Sequence, residues 1–179
     1  DGKRHIYVAP LGDGVMSLPR ELYAGPEGQL YQRPVDEATA FFTKTLHQFD
    51  KPRDVAADFV LPTPDSYMLQ CSVQLDPQAT LAINMRQQPG PRGGYTLNLR
   101  PKGQEADLSG PGFRENRRCT LDASKPIKVQ AFVEGSIIEC FVNDQVAITC
   151  RAQHFPKGVL SFKVDGGQAK VLELKVKGE

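Results

Sequence analysis

The chain has 179 residues, with Lys+Arg 22 against Asp+Glu 21 and a formal net charge of +1. A domain of that size buries roughly 70% of its unfolded surface, so a self-sufficient core needs neither metal nor disulfide. Balanced charge leaves no electrostatic footprint for nucleic acid or an anionic membrane, and no apolar run approaches the roughly 20 residues that cross a bilayer.

The chain opens at Asp1 without a Met or a charged-then-apolar leader, which reads as a processed or trimmed polypeptide. Up to about residue 55 it is turn-rich. Ile6 to Val8 reads as a short strand, Gly12-Asp13-Gly14 as a turn, and Val15 to Tyr23 as a strand containing Pro19. Proline donates nothing to a ladder, so that segment is expected at an edge or irregular. Gly25-Pro26-Glu27-Gly28 turns the chain before Leu30-Tyr31. Asp36 to Phe49 carries the one helical pattern: Asp36 is placed to cap it, and Ala38, Phe41, Phe42 and Leu46 fall on adjoining turns. Its threonines make one or two turns as good a reading as a full helix.

After residue 55 strand follows strand, separated by Gly/Pro/Asp turns. The segments are Val55–Val60, Tyr67–Leu75, Leu81–Gln87, Gly94–Leu99, Gln104–Leu108, Ile127–Val133, Ser136–Val142, Val146–Arg151, Gly158–Val164 and Ala169–Val176. Pro89 to Gly94 is a loop too short to link domains. Strands without helical spacers predict an all-β antiparallel sandwich or barrel. The clearest run is Ile127 to Arg151, a meander broken at Glu134-Gly135 and Asn143-Asp144, where positive φ is tolerated. Val129, Ala131 and Val133 share one face, as do Ile138, Cys140 and Val142; Phe132 and Phe141 put apolar weight on the other face as well.

Cys71, Cys119, Cys140 and Cys150 form an even set without a Cys-x-x-Cys arrangement, which argues against a structural zinc. Buried free thiols are the favoured reading, although Cys140 and Cys150 fall on successive strands. No metal or other cofactor is expected. His5, His47 and His154 stand far apart in unlike contexts, and Gly93-Gly94 and Gly166-Gly167 lack the strand-to-helix setting of a phosphate loop.

Two segments give the sequence a family resemblance. Gly14-Val15-Met16-Ser17-Leu18-Pro19-Arg20-Glu21-Leu22 is followed by Leu30-Tyr31-Gln32-Arg33-Pro34-Val35. Far downstream stand Phe132, Val133, Glu134, Ser136, Glu139, Phe141, Asn143 and Asp144, with Thr149 and Arg151 after them. Together they resemble the C-terminal portion of glycoside hydrolase family 32, the invertase, inulinase and levanase type of enzyme. The likeness covers nearly the whole chain and is weakest from Pro89 to Leu121. It implies residues 1–35 as the last strands of a catalytic five-bladed propeller, 36–54 as a connector, and 55–179 as a lectin-like jelly-roll sandwich. It also implies Leu18, Pro19, Arg20, Glu21, Phe132, Glu134, Ser136, Glu139, Phe141, Asn143 and Asp144 as structural signature residues.

Retaining glycoside hydrolysis needs two carboxyl groups about 5–5.5 Å apart. The resemblance implies that these come from Asn-Asp-Pro-Asn-Gly, Arg-Asp-Pro and Glu-Cys motifs, and each has only a decoy here. Asn143-Asp144 is followed by Gln145-Val146, Arg53-Asp54 by Val55, and Glu139-Cys140 lies inside the meander, where a solvent-facing or hydrogen-bonded sheet residue is expected. The decoys also run in the wrong order, so no catalytic residue is expected in this chain. Two roles remain: support of the missing propeller, with subunit contacts in a homo-oligomer, or binding of fructan or another carbohydrate. One piece of a cleaved active enzyme is a further reading. Sugar platforms favour exposed aromatic faces, and Tyr95, after the glycine-rich loop, is the candidate. With Trp 0 and few tyrosines, support is favoured. Family and even cysteine count point to a secreted or periplasmic protein, with the cytoplasm left open.

Overall fold

The computed structural model describes residues 4–25, 28–55, 59–90 and 93–179. The centre of the turn expected at Gly25-Pro26-Glu27-Gly28, the middle of Val55–Val60 and the centre of the Pro89–Gly94 loop lie outside these residues.

Three antiparallel sheets form, and two of them face each other across one core. A three-stranded sheet is built from β1 (His5–Tyr7), β2 (Arg20–Ala24) and β3 (Leu30–Pro34). The chain then makes a single helical turn, α1 (Asp36–Thr39), and enters the sandwich through β4 (Lys44–Phe49), β5 (Arg53–Asp54) and β6 (Val60–Leu61). The longer strands follow: β7 (Tyr67–Leu75), β8 (Thr80–Gln87), β9 (Tyr95–Arg100), β10 (Glu105–Gly110), β11 (Phe113–Arg118), β12 (Ile127–Glu134), β13 (Ile137–Val142), β14 (Val146–Arg151), β15 (Val159–Asp165) and β16 (Ala169–Gly178). One large sheet has the order β11-β10-β9-β8-β15-β6; the other runs β14-β13-β12-β7-β16-β4, with β5 also on β16.

Period-2 alternation explains the layers. Leu69, Cys71 and Val73 of β7 and Val129, Ala131 and Val133 of β12 face Leu81, Ile83, Leu97, Leu99 and Leu108 of the opposite sheet, all buried in one cluster. The outward side of the seven-stranded sheet is not wholly polar. Phe42, Met68, Phe132 and Phe141 form a second buried cluster there, with Leu18 packed against it. The apolar weight expected on both faces of β12 and β13 is therefore present, and α1 with the three-stranded sheet covers it.

Three expectations need correction. The helical pattern over Asp36–Phe49 yields one turn, as its shorter reading has it, but the cap is Val35, without a side-chain hydrogen bond, and not Asp36. The remainder is β4, because the edge of β16 offers Lys44–Phe49 a ladder that outweighs weak helical propensity in a threonine-containing stretch. The sandwich consequently begins before Val55: β4 and β5, inside the expected connector, both pair with β16. Finally, Phe113–Arg118 is an additional strand, an exposed edge whose charged side chains hide the alternation and guard against edge-to-edge pairing.

Candidate functional site

The signature residues from the two ends of the chain meet at one seam, where the three-stranded sheet docks on the outer face of β13. Alternation on β13 turns Ile138, Cys140 and Val142 into the sandwich core and leaves Glu139 and Phe141 facing outward. Arg20, the first residue of β2, reaches them. Its Nε donates to Glu139 Oε1 at 2.7 Å and its Nη2 stands 2.6 Å from the same oxygen. The Leu18 backbone N–H donates to Glu139 Oε2 at 3.0 Å, so both carboxylate oxygens are occupied. Arg20 also donates to Thr149 Oγ1 at 2.6 Å and to Gln32 Oε1 at 3.1 Å, and its guanidinium lies 5.6 Å from the centre of the Phe141 ring. One cation thus ties β2 to β3, β13 and β14.

Glu139 is 0% exposed and Arg20 8% exposed. Burial pushes the Glu139 carboxyl above the ordinary range, and the Arg20 guanidinium, the Leu18 N–H and Thr149 pull in the opposite direction. Taking two such ions out of water is costly, and their attraction repays this only where further hydrogen bonds serve the remaining groups, as Leu18, Gln32 and Thr149 do here. The arrangement serves fit between two layers. It leaves Glu139 no route to a glycosidic bond, since its neighbours are a guanidinium, a backbone amide and a hydroxyl, with no solvent access.

Around this pair the other signature residues hold shape. Pro19 accepts from the Val35 N–H at 3.1 Å. Glu21 lies on the outer side of the small sheet and pairs with Arg33 at 2.9 Å, an exposed contact of little energetic weight. Phe132 and Phe141 meet edge-on at 6.1 Å, and Phe42 meets Phe132 at 5.8 Å. Ser136 accepts the Ala152 N–H through its carbonyl, and Glu134 is exposed at the end of β12. Asn143 and Asp144 both adopt positive φ, 51° and 56°, as the central residues of a β-turn closed by the Gln145 N–H on the Val142 carbonyl at 3.0 Å, within a three-residue loop between Val142 and Val146. Asn143 Oδ1 accepts from the Lys128 N–H at 2.8 Å. Asp144 accepts from the Gln32 N–H at 2.7 Å and from the Tyr23 hydroxyl at 3.2 Å, a second tie across the seam.

The remaining candidates separate from this site. Arg53 and Asp54 form β5 on β16, with Arg53 over the Phe49 ring at 4.3 Å, so the dipeptide is an exposed sheet edge within the segment expected as a connector. Tyr95 does not offer an aromatic face: it is 1% exposed, packed between Phe113 and Phe155, and its hydroxyl accepts the His154 N–H at 3.1 Å. Its place at the start of β9 points it inward with Leu97 and Leu99. All four cysteines are free and buried, and burial pushes Cys71 and Cys150 up to about 12 and Cys119 up to about 11. The even count therefore marks no oxidising compartment. Among the described residues no group of His, Cys, Asp or Glu is placed to hold a metal ion, and no helix is long and apolar enough to cross a membrane.

Sequence reasoning missed Arg86. It is 1% exposed, with φ 53°, and donates to the carbonyls of Asp65, Gly135, Ala152 and Phe155 at 2.7–3.4 Å. Gly158 opposite has no room for a side chain, since a Cβ there would stand 2.3 Å from the Arg86 backbone. At the end of a strand an arginine reads as solvated; only the left-handed backbone turns it inward.

The family model described as "Glycosyl hydrolases family 32 C terminal" matches residues 66–178, and the chain belongs to that family. Among solved structures it is similar to an exo-inulinase from Aspergillus awamori, with 17% identity over 90% of this chain and 35% of that one, at a TM-score of 0.75. A fructan 1-exohydrolase IIa from Cichorium intybus matches with 15% identity over 91% of this chain and 40% of that one, at 0.69. The carbohydrate-binding module CBM66 from Bacillus subtilis matches with 12% identity over 88% of this chain and 91% of that one, at 0.55. At these identities the likeness is one of fold. The chain spans 35% and 40% of the two enzymes' length.

Proposed function

We propose that this chain is the non-catalytic C-terminal part of a β-fructosidase-type glycoside hydrolase, and that its task is to seat the catalytic propeller. Residues 4–35 are the closing strands of that propeller on this reading, and the sandwich anchors them. The observation that carries it is the Arg20–Glu139 pair: a buried ion pair is an expensive device, and here it spans the junction between a small, incomplete sheet and a complete sandwich. The small sheet supports the reading from its other side. Ile6, Tyr7, Val8, Met16 and Leu30 are exposed apolar side chains, the surface expected of strands whose neighbours belong elsewhere. Missing propeller strands are the occupant proposed, with a second copy of the chain as the competing one. Secretion or a periplasmic site belongs to this reading through family resemblance alone.

The purified chain should release no fructose from sucrose, inulin or levan. Joined to a catalytic propeller encoded upstream, it should raise the temperature at which fructose release is lost, and Glu139→Ala should abolish that gain while leaving KM unchanged. Fructose release by the chain alone, or a Glu139→Ala fusion as heat-resistant as the parent, would overturn the proposal.

A further inference from the structure

The outer face of the six-stranded sheet holds a hollow of about 710 Å³ that shares no residue with the seam. It lies on the opposite side of the sandwich, because Asn84, Thr96 and Ser109 alternate with the core residues Ile83, Met85, Leu97 and Leu108. Three other polar hollows are each lined by both lysine or arginine side chains and carboxylates; among the described residues this one is lined by neither. Its walls are Asn84, Gln87, Thr96, Ser109, His154, Phe155 and a set of glycines and one proline.

These side chains are organised before any ligand arrives. Thr96 Oγ1 donates to Asn84 Oδ1 at 2.9 Å, Asn84 Nδ2 donates to Ser161 Oγ at 3.2 Å, and Ser161 in turn donates to Gln87 Oε1. The relay consumes one side of each group. Gln87 Nε2 and Ser109 Oγ are left without a partner among the described residues, and Thr96 Oγ1 keeps its acceptor capacity. Asn84, Thr96 and Ser109 lie directly opposite one another on three adjacent strands, which stand about 4.8 Å apart. The result is a row of neutral groups that both donate and accept, at a spacing comparable with the width of a sugar ring, beside a half-buried Phe155.

We infer that this hollow is a binding site for a neutral, polyhydroxylated ligand, namely the terminal units of an oligosaccharide. Among the described residues that line the hollow a charged ligand finds no counter-charge, since Arg114, opposite Ser109 on the next strand, spends its guanidinium on Asp107 at 3.1 Å, and an apolar ligand would strand the free amide and hydroxyl. The choice of fructose units rests on the function proposed above; the neutral-sugar chemistry rests on the hollow alone.

The test is a titration of the 179-residue chain with inulin-type and levan-type fructose tetrasaccharides, a glucose tetrasaccharide and a phosphorylated sucrose, followed by backbone amide NMR. Saturable shifts at Thr96, Ser109 and His154 with a neutral oligosaccharide are expected, together with no tighter binding of the phosphorylated sugar. Thr96→Val with Ser109→Ala should weaken binding at least about tenfold while the rest of the spectrum is unchanged, and Gln87→Met should do so alone. Binding of the glucose oligomer in place of the fructose ones would keep the site and correct only the sugar class drawn from the parent enzyme. Absence of saturable shifts at these amides, shifts confined to other surfaces, or preference for the phosphorylated sugar would overturn the inference, whatever the seam experiment shows.

Discussion

Arg20 and Glu139 are 119 residues apart in sequence and in direct contact, and through Arg20 they join β2, β3, β13 and β14. Neither side chain has a role in its own sheet that requires charge. Their charge is explained by the other.

The hairpin that presents Asp144 to this seam depends on two consecutive left-handed residues. Asp144→Val places a β-branched side chain where φ is 56°, and should cost about 1–3 kcal/mol by urea unfolding. Asp144→Gly removes the strain problem and loses only the Tyr23 bond, so it should cost much less. Equal losses would show that the backbone conformation is not what matters there.

Arg86 holds four carbonyls at the end of the sandwich where residues 65, 135, 152 and 155 come together. Arg86→Met leaves those carbonyls short of donors in a buried setting and should destabilise by about 2–5 kcal/mol. Arg86→Lys should recover little, since a point ammonium cannot fork toward four acceptors. A lysine variant as stable as the parent would contradict this.

Asp107 sets an acid limit. It is 1% exposed; burial alone would raise its pKa, but hydrogen bonds from Arg100, Asn98 and Arg114 prevail and hold it below the ordinary carboxylate value. A folded pKa below the unfolded one, about 3.9, gives stability that is present above the unfolded value and lost as pH falls through the folded one. Asp107→Asn should therefore unfold at lower urea than the parent at about pH 7, with the gap closing toward about pH 3. A gap that widens in acid would reverse the assignment.

The buried thiols give a fourth outcome. Cys71, Cys140 and Cys150 should resist a thiol-reactive dye in the native protein at mild alkaline pH and react together on unfolding. Rapid labelling of the native protein would show that this core opens.

Much of the fold was legible because alternation was clean. Tyr67–Leu75 and Val146–Arg151 match the observed strands residue for residue, and Phe132 and Phe141 announced the second apolar face. What failed did so where a partner decides. Lys44–Phe49 became a strand because β16 offered an edge, and the charges of Phe113–Arg118 hid a strand at the rim. At the site, both halves of the key pair were singled out, but Glu139 reads locally as a hydrogen-bonded or solvent-facing sheet residue. Nothing within its strand tells that a sheet formed far upstream covers it.

The central claim is that this ion pair locks the two layers together, and a double-mutant cycle on Arg20→Ala and Glu139→Ala, read by urea unfolding of the whole chain, tests it most directly. Each single change should cost about 3–5 kcal/mol by leaving its partner buried and unpaired, and the double variant should cost far less than their sum. Losses that simply add, or single variants as stable as the parent, would show that the two residues do not act on each other and that the layers are held by other means.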